Sequence, residues 1–436
     1  MKARSAGPRR DWTGAPEIRA GGRIGRWLAM AAAGSLWIGA GAALASEPAG
    51  RTLQPRQIDM IYVDRELAPG GGAGDASAPR GRAVGGNPLQ QGLMQGLEEY
   101  RDSWGALPSV AIPAGPALRP GSTGPRVRLL RARLGLHEEG SFDAELAQAV
   151  RSFQAAHGLP DDGVAGAGTV QALNRGPAYY EALIEANLER ARALPAQLGR
   201  RYIMVDVPAA TLWMYEDGRP VDSMRVVVGK PTHQTPMMAA FVRYAVLNPY
   251  WNVPVDLVRD RIAPNVLDQG LGYLRERRYQ LLDGWGEDAR ELDPSTVDWN
   301  AVAAGRQEIR VRQLPGQGNM MGEVKFMMSG DLGIYLHDTP DRNLFAQDDR
   351  RQSSGCVRLE DAQRLSRWLF QRGVAPNSSD PEQRVNLPEP VPVYITYMTA
   401  APSERGTGIV FRQDVYGRDA PLLAQLAARG TAYAAR

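Results

Sequence analysis

Cysteine is almost absent from this chain of 436 residues, in which Cys356 is the only one. A single thiol excludes an intrachain disulfide framework. Four histidines without a His-Glu-x-x-His spacing give no zinc signature, so no metal and no other cofactor is expected. A lone cysteine is most often a small buried hydrophobe, and the alternative is a reactive thiol. The residues around Cys356 therefore decide between the two.

The chain also lacks a strong charge of one sign. Its formal net charge is +3, and residues 1–45 alone carry +5, which leaves a slightly acidic remainder. Such a remainder excludes a polycation that binds nucleic acid through its phosphates. With 43% apolar and 23% charged residues, the sequence predicts a folded protein of two or three domains. Its 48 glycines and 32 prolines predict long loops and at least one linker.

Long apolar runs are missing except near the start, where residues 27–45 are uncharged and mostly apolar. This run follows an arginine-rich segment and ends in Ala43-Leu44-Ala45, the small-x-small pattern that signal peptidase cleaves. We interpret residues 1–45 as a signal peptide that is removed before Ser46. The alternative is an uncleaved membrane anchor, because the run approaches spanning length. Under both interpretations the rest of the chain is exported.

Composition and periodicity divide the remaining chain into segments. Apolar residues recur at helical spacing over Asn87–Ala106, whereas from Arg201 onward they alternate as in strands, with Asp217-Gly218 as a hairpin turn. The chain is therefore predicted to be an α+β multidomain protein. The predicted segments are a scaffold region with a Gly/Ala/Pro-rich linker (46–117), a small three-helix module (118–175), a connecting helix (176–200), a mostly β domain with an insertion at about 255–310 (201–400), and a C-terminal strand and tail (401–436).

The densest chemical signal is a histidine and a cysteine in two short motifs. Tyr335-Leu-His-Asp-Thr-Pro is followed, nineteen residues after His337, by Ser353-Ser-Gly-Cys-Val-Arg. A free thiol is only a few per cent ionised at neutral pH, so a nucleophilic cysteine needs a base such as an imidazole beside it. Ser353 and Ser354 lack the Gly-x-Ser-x-Gly surroundings of a serine nucleophile. The spacing of Cys356 and His337 alone is common in proteins and does not prove a catalytic pair.

Together with other segments, these motifs resemble the L,D-transpeptidases, whose catalytic domain is called YkuD-type. The resemblance is to the large Gram-negative, YcbB-like branch, covers roughly residues 118–416, and implies a mostly β catalytic domain, a YkuD-type β-sandwich with few helices. Residues 118–175 resemble the peptidoglycan-binding module, and the alternative for them is a helical spacer without a ligand. The supporting segments are Met224-Arg-Val-Val-Val-Gly-Lys, Gln234-Thr-Pro, Leu247-Asn-Pro-Tyr-Trp-Asn-Val-Pro and Asp283-Gly-Trp.

The resemblance implies a role for each matching residue. Cys356 would be the acyl-forming nucleophile, His337 its general base, and the backbone N–H groups of Gly355 and Cys356 would form the oxyanion hole. A backbone carbonyl orients the imidazole in this family; Asp338 is adjacent, and which carbonyl serves stays open. The residues expected at the substrate are two pocket-wall aromatics, an arginine that holds a carboxylate, and two serines: Tyr335, Trp251, Arg358, Ser353 and Ser354.

The activity implied by the resemblance is that of a peptidoglycan L,D-transpeptidase in the periplasm. The family joins two diaminopimelate residues in a 3→3 crosslink through a cysteine thioester, releases D-alanine, and is a target of carbapenems. Two kinds of alternative stay open: the same thiol used for lipoprotein attachment, D-amino-acid exchange or hydrolysis, and a non-catalytic scaffold that binds the cell wall.

The expected partners follow from the same resemblance. They are peptidoglycan stem peptides and glycan, together with other cell-wall synthesis enzymes; nucleic acid is not expected, and a membrane is expected only if the N-terminal segment is uncleaved. The insertion at about 255–310 is expected to cap the substrate groove. Among the remaining histidines, we expect His137 and His157 on the surface of the helical module and His233 at the border of the pocket.

Overall fold

A computed structural model describes residues 60–64, 67–68, 86–286, 288–330, 332–404 and 408–434. The proposed signal peptide or anchor, residues 1–45, and the Gly/Ala/Pro-rich stretch at 69–85 lie outside these residues. Within the described ranges, no helix is both long and apolar enough to cross a lipid bilayer. Helices precede a β-rich region, so the α+β class predicted from the sequence is confirmed.

Helices dominate up to residue 192, and strands dominate from residue 201. The helices are α1 (Pro88–Asp102), α2 (Pro125–Arg133), α3 (Ala144–Ala156), α4 (Ala167–Arg192), α5 (Val255–Leu257), α6 (Ala263–Gln269), α7 (Gly272–Glu276), α8 (Trp299–Ala303), α9 (Ala362–Phe370) and α10 (Asp419–Ala434), with a π-helical turn at Val258–Ile262 and 3₁₀ turns at Trp104–Ala106, Pro294–Thr296 and Arg342–Ala346. The strands are β1 (Ile61–Tyr62), β2 (Arg201–Asp206), β3 (Thr211–Glu216), β4 (Arg219–Gly229), β5 (Met238–Leu247), β6 (Trp251–Val253), β7 (Tyr279–Leu282), β8 (Arg310–Gln313), β9 (Val324–Met328), β10 (Leu336–His337), β11 (Arg351–Ser353), β12 (Val357–Leu359), β13 (Gln383–Thr396), β14 (Ala400–Pro402) and β15 (Ile409–Phe411).

The scaffold helix α1 begins at a complete capping box. The Asn87 side chain accepts the N–H of Gln90 at 3.0 Å, and the Gln90 side chain accepts the N–H of Asn87 at 2.9 Å. Two N–H groups that a helix start leaves unpaired are thus satisfied. Leu93, Leu97 and Tyr100 are buried on one face, which packs against α4 and β14. The helix predicted over 87–106 from this spacing is confirmed.

The small helical module has its own apolar core. Val127, Leu130, Leu146 and Val150 are each 0% exposed within it. The sequence predicted a module that ends at residue 175 and a separate connecting helix from residue 176. The backbone of α4 (Ala167–Arg192) is not helical at Gly176, which has a φ of 75° and a ψ of 168°, and Pro177, which lacks an N–H donor, begins the second helical part. The interruption thus falls at the predicted boundary.

His157 is buried, which corrects the prediction that it lies on the module's surface. Its ring stacks on Phe153 with a centroid distance of 3.8 Å and lies 5.2 Å from the ring of Phe411 in β15. Its Nδ1 donates to the Phe153 carbonyl at 2.8 Å, whereas its Nε2 has no partner among the described residues. Burial lowers the pKa of His157 to about 3. A neutral imidazole thus joins the module to the hairpin of β14 and β15.

A ten-stranded sheet forms the centre of the β domain in the described residues. Its strand order is β1-β5-β13-β2-β3-β4-β12-β10-β9, β11 pairs with β4, and β5 also pairs with β9, so the sheet closes on itself. Alternate side chains, such as Ile203, Val226 and Phe326, point into one apolar core and are 0% exposed. Between β3 and β4, Asp217 (φ 49°) and Gly218 (φ 76°) both adopt the left-handed conformation of a type I′ turn, which confirms the predicted hairpin.

The insertion folds around a second, smaller sheet. Strands β6, β8 and β7 pair in that order, and all of these pairings are antiparallel. Val253, Leu274 and Val311 are buried between this sheet and the helices α5 to α8. The insertion therefore has a core of its own, which extends from Trp251 in β6 to Gln313 in β8.

The described residues after β13 form a hairpin and a helix: the predicted C-terminal strand is β15 (Ile409–Phe411), and α10 lies where the sequence predicted a tail. Strands β14 and β15 pack on α1, and α10 packs on α4. At the start of α10, Asp419 accepts a hydrogen bond from Arg190 at 2.8 Å, and the two side chains are only 6% and 0% exposed. Thr399 donates to the same carboxylate oxygen at 2.9 Å. A buried, hydrogen-bonded ion pair thus holds this segment against the scaffold.

The buried imidazole predicts how stability depends on pH. The pKa of His157 is about 3 in the folded protein and about 6.5 in an unfolded chain, so only the unfolded state binds a proton between these values. Stability is therefore lost as pH falls below about 6.5, by up to about 1.4 kcal/mol per pH unit from this group. Urea unfolding at pH 7 and pH 4.5 should show a steeper loss for the parent than for His157→Phe. Parallel losses in the two proteins would contradict this prediction.

Candidate active site

The two sequence motifs meet on neighbouring strands. β10 pairs with β12 in parallel, with Leu336 opposite Val357 and His337 opposite Arg358, and the N–H of Val357 donates to the Tyr335 carbonyl at 3.1 Å. Leu336 and Val357 are 0% exposed in the core. Because successive side chains of a strand point to opposite faces, the residues on either side of this pair share the outer face. The four residues on that face are Tyr335, His337, Cys356 and Arg358.

The imidazole of His337 is buried and held in one tautomer. Its Nδ1 lies 2.6 Å from the carbonyl oxygen of Asp338, and since a carbonyl only accepts, Nδ1 must carry the proton. The carbonyl that orients the ring is therefore that of Asp338. Burial, with a further contribution from the cations of Arg358 and Lys325, lowers the pKa of His337 to about 3. At neutral pH the free nitrogen, Nε2, is an unprotonated base on a ring that is 2% exposed.

Cys356 is partly exposed and protonated at neutral pH. Its Sγ donates to the carbonyl of Gly333 at 3.3 Å, and no hydrogen bond of the described residues joins it to His337. Burial raises the pKa of the thiol to about 11, while Arg358 acts in the opposite direction. The Cys356 thiol and the His337 imidazole are thus both uncharged at neutral pH and do not form an ion pair.

The loop before the thiol is closed by its own hydrogen bonds. The Ser353 hydroxyl donates to the Cys356 carbonyl at 2.6 Å and accepts the N–H of Gly355 at 3.2 Å. The N–H of Gly355, expected as an oxyanion donor, thus has a partner within the loop, and Ser353, expected at the substrate, is 2% exposed. No hydrogen bond of the described residues uses the Cys356 N–H. Ser354 is exposed.

The carboxylate of Asp338 has a structural task of its own. One oxygen accepts the N–H of Glu323 at 2.9 Å, and the other accepts a guanidinium N–H of Arg342 at 2.6 Å. Asp338 is 5% exposed, so these bonds satisfy a carboxylate that has little access to water. Its contribution to His337 therefore comes from the backbone carbonyl, not from the negative charge.

Arg358 is a cation without a counter-ion on the outer face. Within the described residues its guanidinium makes no ion pair, and its buried Nε has no hydrogen-bond partner. Burial lowers its pKa. A buried Nε without a partner is costly, and a planar carboxylate would satisfy the guanidinium through two parallel hydrogen bonds. This residue is thus suited to bind an anionic group beside the thiol.

The two aromatic residues expected at the pocket differ in position. Tyr335 lies beside Cys356 on the outer face, is half-buried, and has a pKa raised by burial. Trp251 belongs to the insertion, where it pairs with Gln313 and its ring lies 6.3 Å from that of Tyr279. These described contacts of Trp251 lie within the insertion, so they do not bring it to the thiol.

Two contacts near the site were not anticipated from the sequence. His233, expected at the pocket border, places Nε2 at 3.0 Å from the carboxylate of Asp256 and so links the loop after β4 to the insertion. Thr235, in the segment Gln234-Thr-Pro, is 0% exposed and donates to the Gly355 carbonyl at 2.7 Å. The resemblance had drawn attention to this segment without a role for the threonine. Across the described residues, no three His, Cys, Asp or Glu side chains lie close enough together to hold a metal ion.

Two parts of the chain match known families. Residues 200–393 match the YkuD family, described as "L,D-transpeptidase catalytic domain", and residues 123–173 match the family described as "Putative peptidoglycan binding domain". The chain therefore carries one region that matches the L,D-transpeptidase catalytic domain and, before it, one that matches a peptidoglycan-binding domain.

Similar proteins carry the same description. A Haemophilus influenzae protein named "Putative L,D-transpeptidase" is 33% identical over 264 residues, which are 58% of this chain and 52% of that protein, so the match spans about half of the relative's length. Solved structures include an L,D-transpeptidase from Xylanimonas cellulosilytica (19% identical, 65% of this chain, 98% of that chain, TM-score 0.21) and one from Mycobacterium smegmatis (13% identical, 45% of this chain, 58% of that chain, TM-score 0.24). These TM-scores are too low for the solved structures to define the geometry of the site.

The raised pKa of the thiol predicts slow alkylation at neutral pH. Only the thiolate reacts with iodoacetamide, so the rate at Cys356 should rise about tenfold per pH unit from pH 7 to pH 10. Arg358→Gln should slow the reaction at each pH, because the guanidinium lowers the thiol's pKa. Intact mass measures the rate directly, since the sequence has one cysteine. A plateau by pH 8 would show instead that the thiolate is stabilised.

Proposed function

We propose that the protein is a cysteine-dependent peptidoglycan L,D-transpeptidase, with Cys356 as nucleophile and His337 as general base. The observation that carries the proposal is the placement of a thiol, an oriented neutral imidazole and an unpaired arginine on one face of the paired strands β10 and β12. The match of residues 200–393 to the L,D-transpeptidase catalytic domain supplies the reaction class.

The first half-reaction forms a thioester. Nε2 of His337 takes the proton of Cys356 as Sγ attacks the amide carbonyl between diaminopimelate at position three and D-alanine at position four of a stem peptide. The N–H of Cys356 donates to the oxyanion of the tetrahedral intermediate. His337 then returns the proton to the amide nitrogen, the C–N bond breaks, and D-alanine leaves.

The second half-reaction transfers the acyl group. The side-chain amine of a second diaminopimelate attacks the thioester, gives a proton to His337, and displaces the Cys356 thiolate, which is reprotonated. The product is a 3→3 crosslink. We expect the insertion, which His233 and Asp256 join to the loop after β4, to limit water at the thioester, so that the amine competes well with hydrolysis.

Arg358 supplies the recognition of an anionic donor. Each stem peptide carries carboxylates near the scissile amide, and a guanidinium without a counter-ion binds such a group through paired hydrogen bonds. The contact also offsets the cost of the buried, unpaired Nε of this arginine. Tyr335, on the same face beside the thiol, forms the adjoining wall, while Ser354 is exposed and free to approach a stem peptide.

The helical module supports action on assembled peptidoglycan. Residues 123–173 match a peptidoglycan-binding family, and the module is held against the C-terminal hairpin of β14 and β15 through the ring stack of Phe153, His157 and Phe411. Docking of glycan or stem peptide on the module would therefore hold the catalytic face near its substrate. Peptidoglycan lies outside the cytoplasmic membrane, so this function places the protein in the periplasm and requires the export proposed from residues 1–45.

Acylation by a carbapenem tests the proposed chemistry. The protein should gain one drug-sized mass increment, located on Cys356, because attack of the thiol opens the strained lactam as it would cleave a donor amide. His337→Ala should slow acylation by about 10²- to 10⁴-fold, the range for a positioned general base. Asp338→Asn should cost much less, because it keeps the backbone carbonyl that orients the ring. If His337→Ala labels as fast as the parent, His337 is not the base.

Product analysis tests the substrate class. Incubated with purified tetrapeptide muropeptides, the parent should form dimers with a 3→3 diaminopimelate linkage and release one D-alanine per crosslink, whereas Cys356→Ser should form none. Mass spectrometry of the products distinguishes the other uses of the thiol, since lipoprotein attachment, D-amino-acid exchange and hydrolysis each leave a different mass. A parent protein that produces only tripeptide monomers would be a hydrolase.

A further inference from the structure

A continuous chain of hydrogen bonds joins the C-terminal segment to the loop that carries the thiol. Tyr416 donates its hydroxyl to the Gly229 carbonyl at 2.6 Å and accepts the N–H of Thr235 at 3.2 Å. Thr235 in turn donates its hydroxyl to the Gly355 carbonyl at 2.7 Å and accepts the N–H of Gly229 at 2.9 Å. Tyr416 lies outside the residues that match the catalytic family, 200–393.

The hydrogen bond from Thr235 to the Gly355 carbonyl fixes the orientation of the peptide between Gly355 and Cys356. The C=O of Gly355 and the N–H of Cys356 belong to one planar trans peptide, so they point in opposite directions. A hydrogen bond that holds the carbonyl towards Thr235 therefore turns the N–H of Cys356 away from it. Gly355 has a φ of 114°, a conformation in which glycine rotates easily, so this plane needs an external anchor.

The anchor is itself rigidly supported. Thr235 is 0% exposed, and a Cβ on Gly229 would come within 2.0 Å of the His233 carbonyl, so the turn between β4 and β5 has no spare room. Behind it, the N–H of Tyr416 donates to the Tyr397 hydroxyl at 2.7 Å, and that hydroxyl donates to the Asp414 carboxylate at 2.6 Å. These bonds reach the 0%-exposed ring of Tyr397.

We infer that Thr235, braced by Tyr416, is a positioning residue that aims the Cys356 N–H at the oxyanion of the reacting carbonyl. The inference rests on the proposed role of Cys356 as an acyl-forming nucleophile. The Thr235 hydroxyl contacts the Gly355 carbonyl rather than the Cys356 thiol. Thr235 is therefore assigned to the stabilisation of the oxyanion and not to the reactivity of the Cys356 sulfur.

Two reagents for the same thiol separate these roles. A carbapenem forms a tetrahedral oxyanion when the thiol attacks, whereas iodoacetamide reacts by displacement at carbon and forms none. Thr235→Val keeps the shape and removes the hydroxyl; it should lower the maximal carbapenem acylation rate about 10- to 100-fold, below the loss of a whole oxyanion donor. The apparent dissociation constant of the carbapenem and the rate of iodoacetamide alkylation should stay unchanged. Thr235→Ser, which restores the hydroxyl, should recover the acylation rate.

Matched controls exclude a general loss of structure. Thr396 is also 0% exposed and donates its hydroxyl to a backbone carbonyl, that of Val205 at 3.2 Å, so Thr396→Val should acylate as the parent does. Tyr416→Phe should slow acylation in the same selective way but less than Thr235→Val. Tyr394→Phe, which loses a hydroxyl bonded to the Leu198 carbonyl, is its control.

Each outcome decides between the two claims. If Thr235→Val slows carbapenem and iodoacetamide equally, or slows neither, Thr235 does not position the oxyanion donor and the inference is overturned. If the parent itself gains no carbapenem on Cys356 while iodoacetamide still labels it, the proposed function fails instead. Selective slowing of the carbapenem, with rescue by Thr235→Ser, is the result expected.

Discussion

The parallel pairing of β10 with β12 is the constraint on which the candidate site depends. Its register places His337 opposite Arg358 and turns both side chains away from the core, which Leu336 and Val357 help to fill. A shift of either strand by one residue would move the thiol or the imidazole into the apolar interior and bring a core residue out to solvent. Burial of two aliphatic side chains thus holds the geometry of the candidate site, and no direct bond between Cys356 and His337 is needed for it.

The electrostatics of the site follow from one unpaired cation beside two neutral groups. Arg358 lowers the pKa of the imidazole and also that of the thiol, although burial is the larger cause in both and acts in opposite directions on them. On the proposed function, a substrate carboxylate bound to Arg358 would offset the lowering of the His337 pKa by this cation and so make His337 a stronger base once substrate is present. Substrate binding and activation of the nucleophile would then be coupled through a single guanidinium, without a change in the fold.

Much of the fold, but less of the site's detail, was predictable from the sequence. Periodicity predicted the α1 helix and the Asp217-Gly218 hairpin, because local residues decide both. The position of His157 was missed, since its burial depends on Phe411, which lies far along the chain and stacks on the ring. The hydrogen bond from the Gly355 N–H to Ser353 was also missed. In the sequence the N–H groups of Gly355 and Cys356 look equally free to bind a substrate oxygen, and only the path of the backbone distinguishes them. The local sequence pattern predicts which residues lie near one another at the site. The donor and acceptor of each hydrogen bond can be read only from the structure of the folded loop.

The closed sheet also determines how the protein behaves among neighbours. β5 is paired along both edges, with β13 on one side and with β1 and then β9 on the other, so its backbone groups are satisfied within the chain. An open sheet would leave a row of free N–H and C=O groups that recruits strands from other molecules. Among the described residues, the separate smaller sheets have strands of only three or four residues, too short to act as a template. Closure therefore protects the protein from edge-to-edge aggregation at high local concentration.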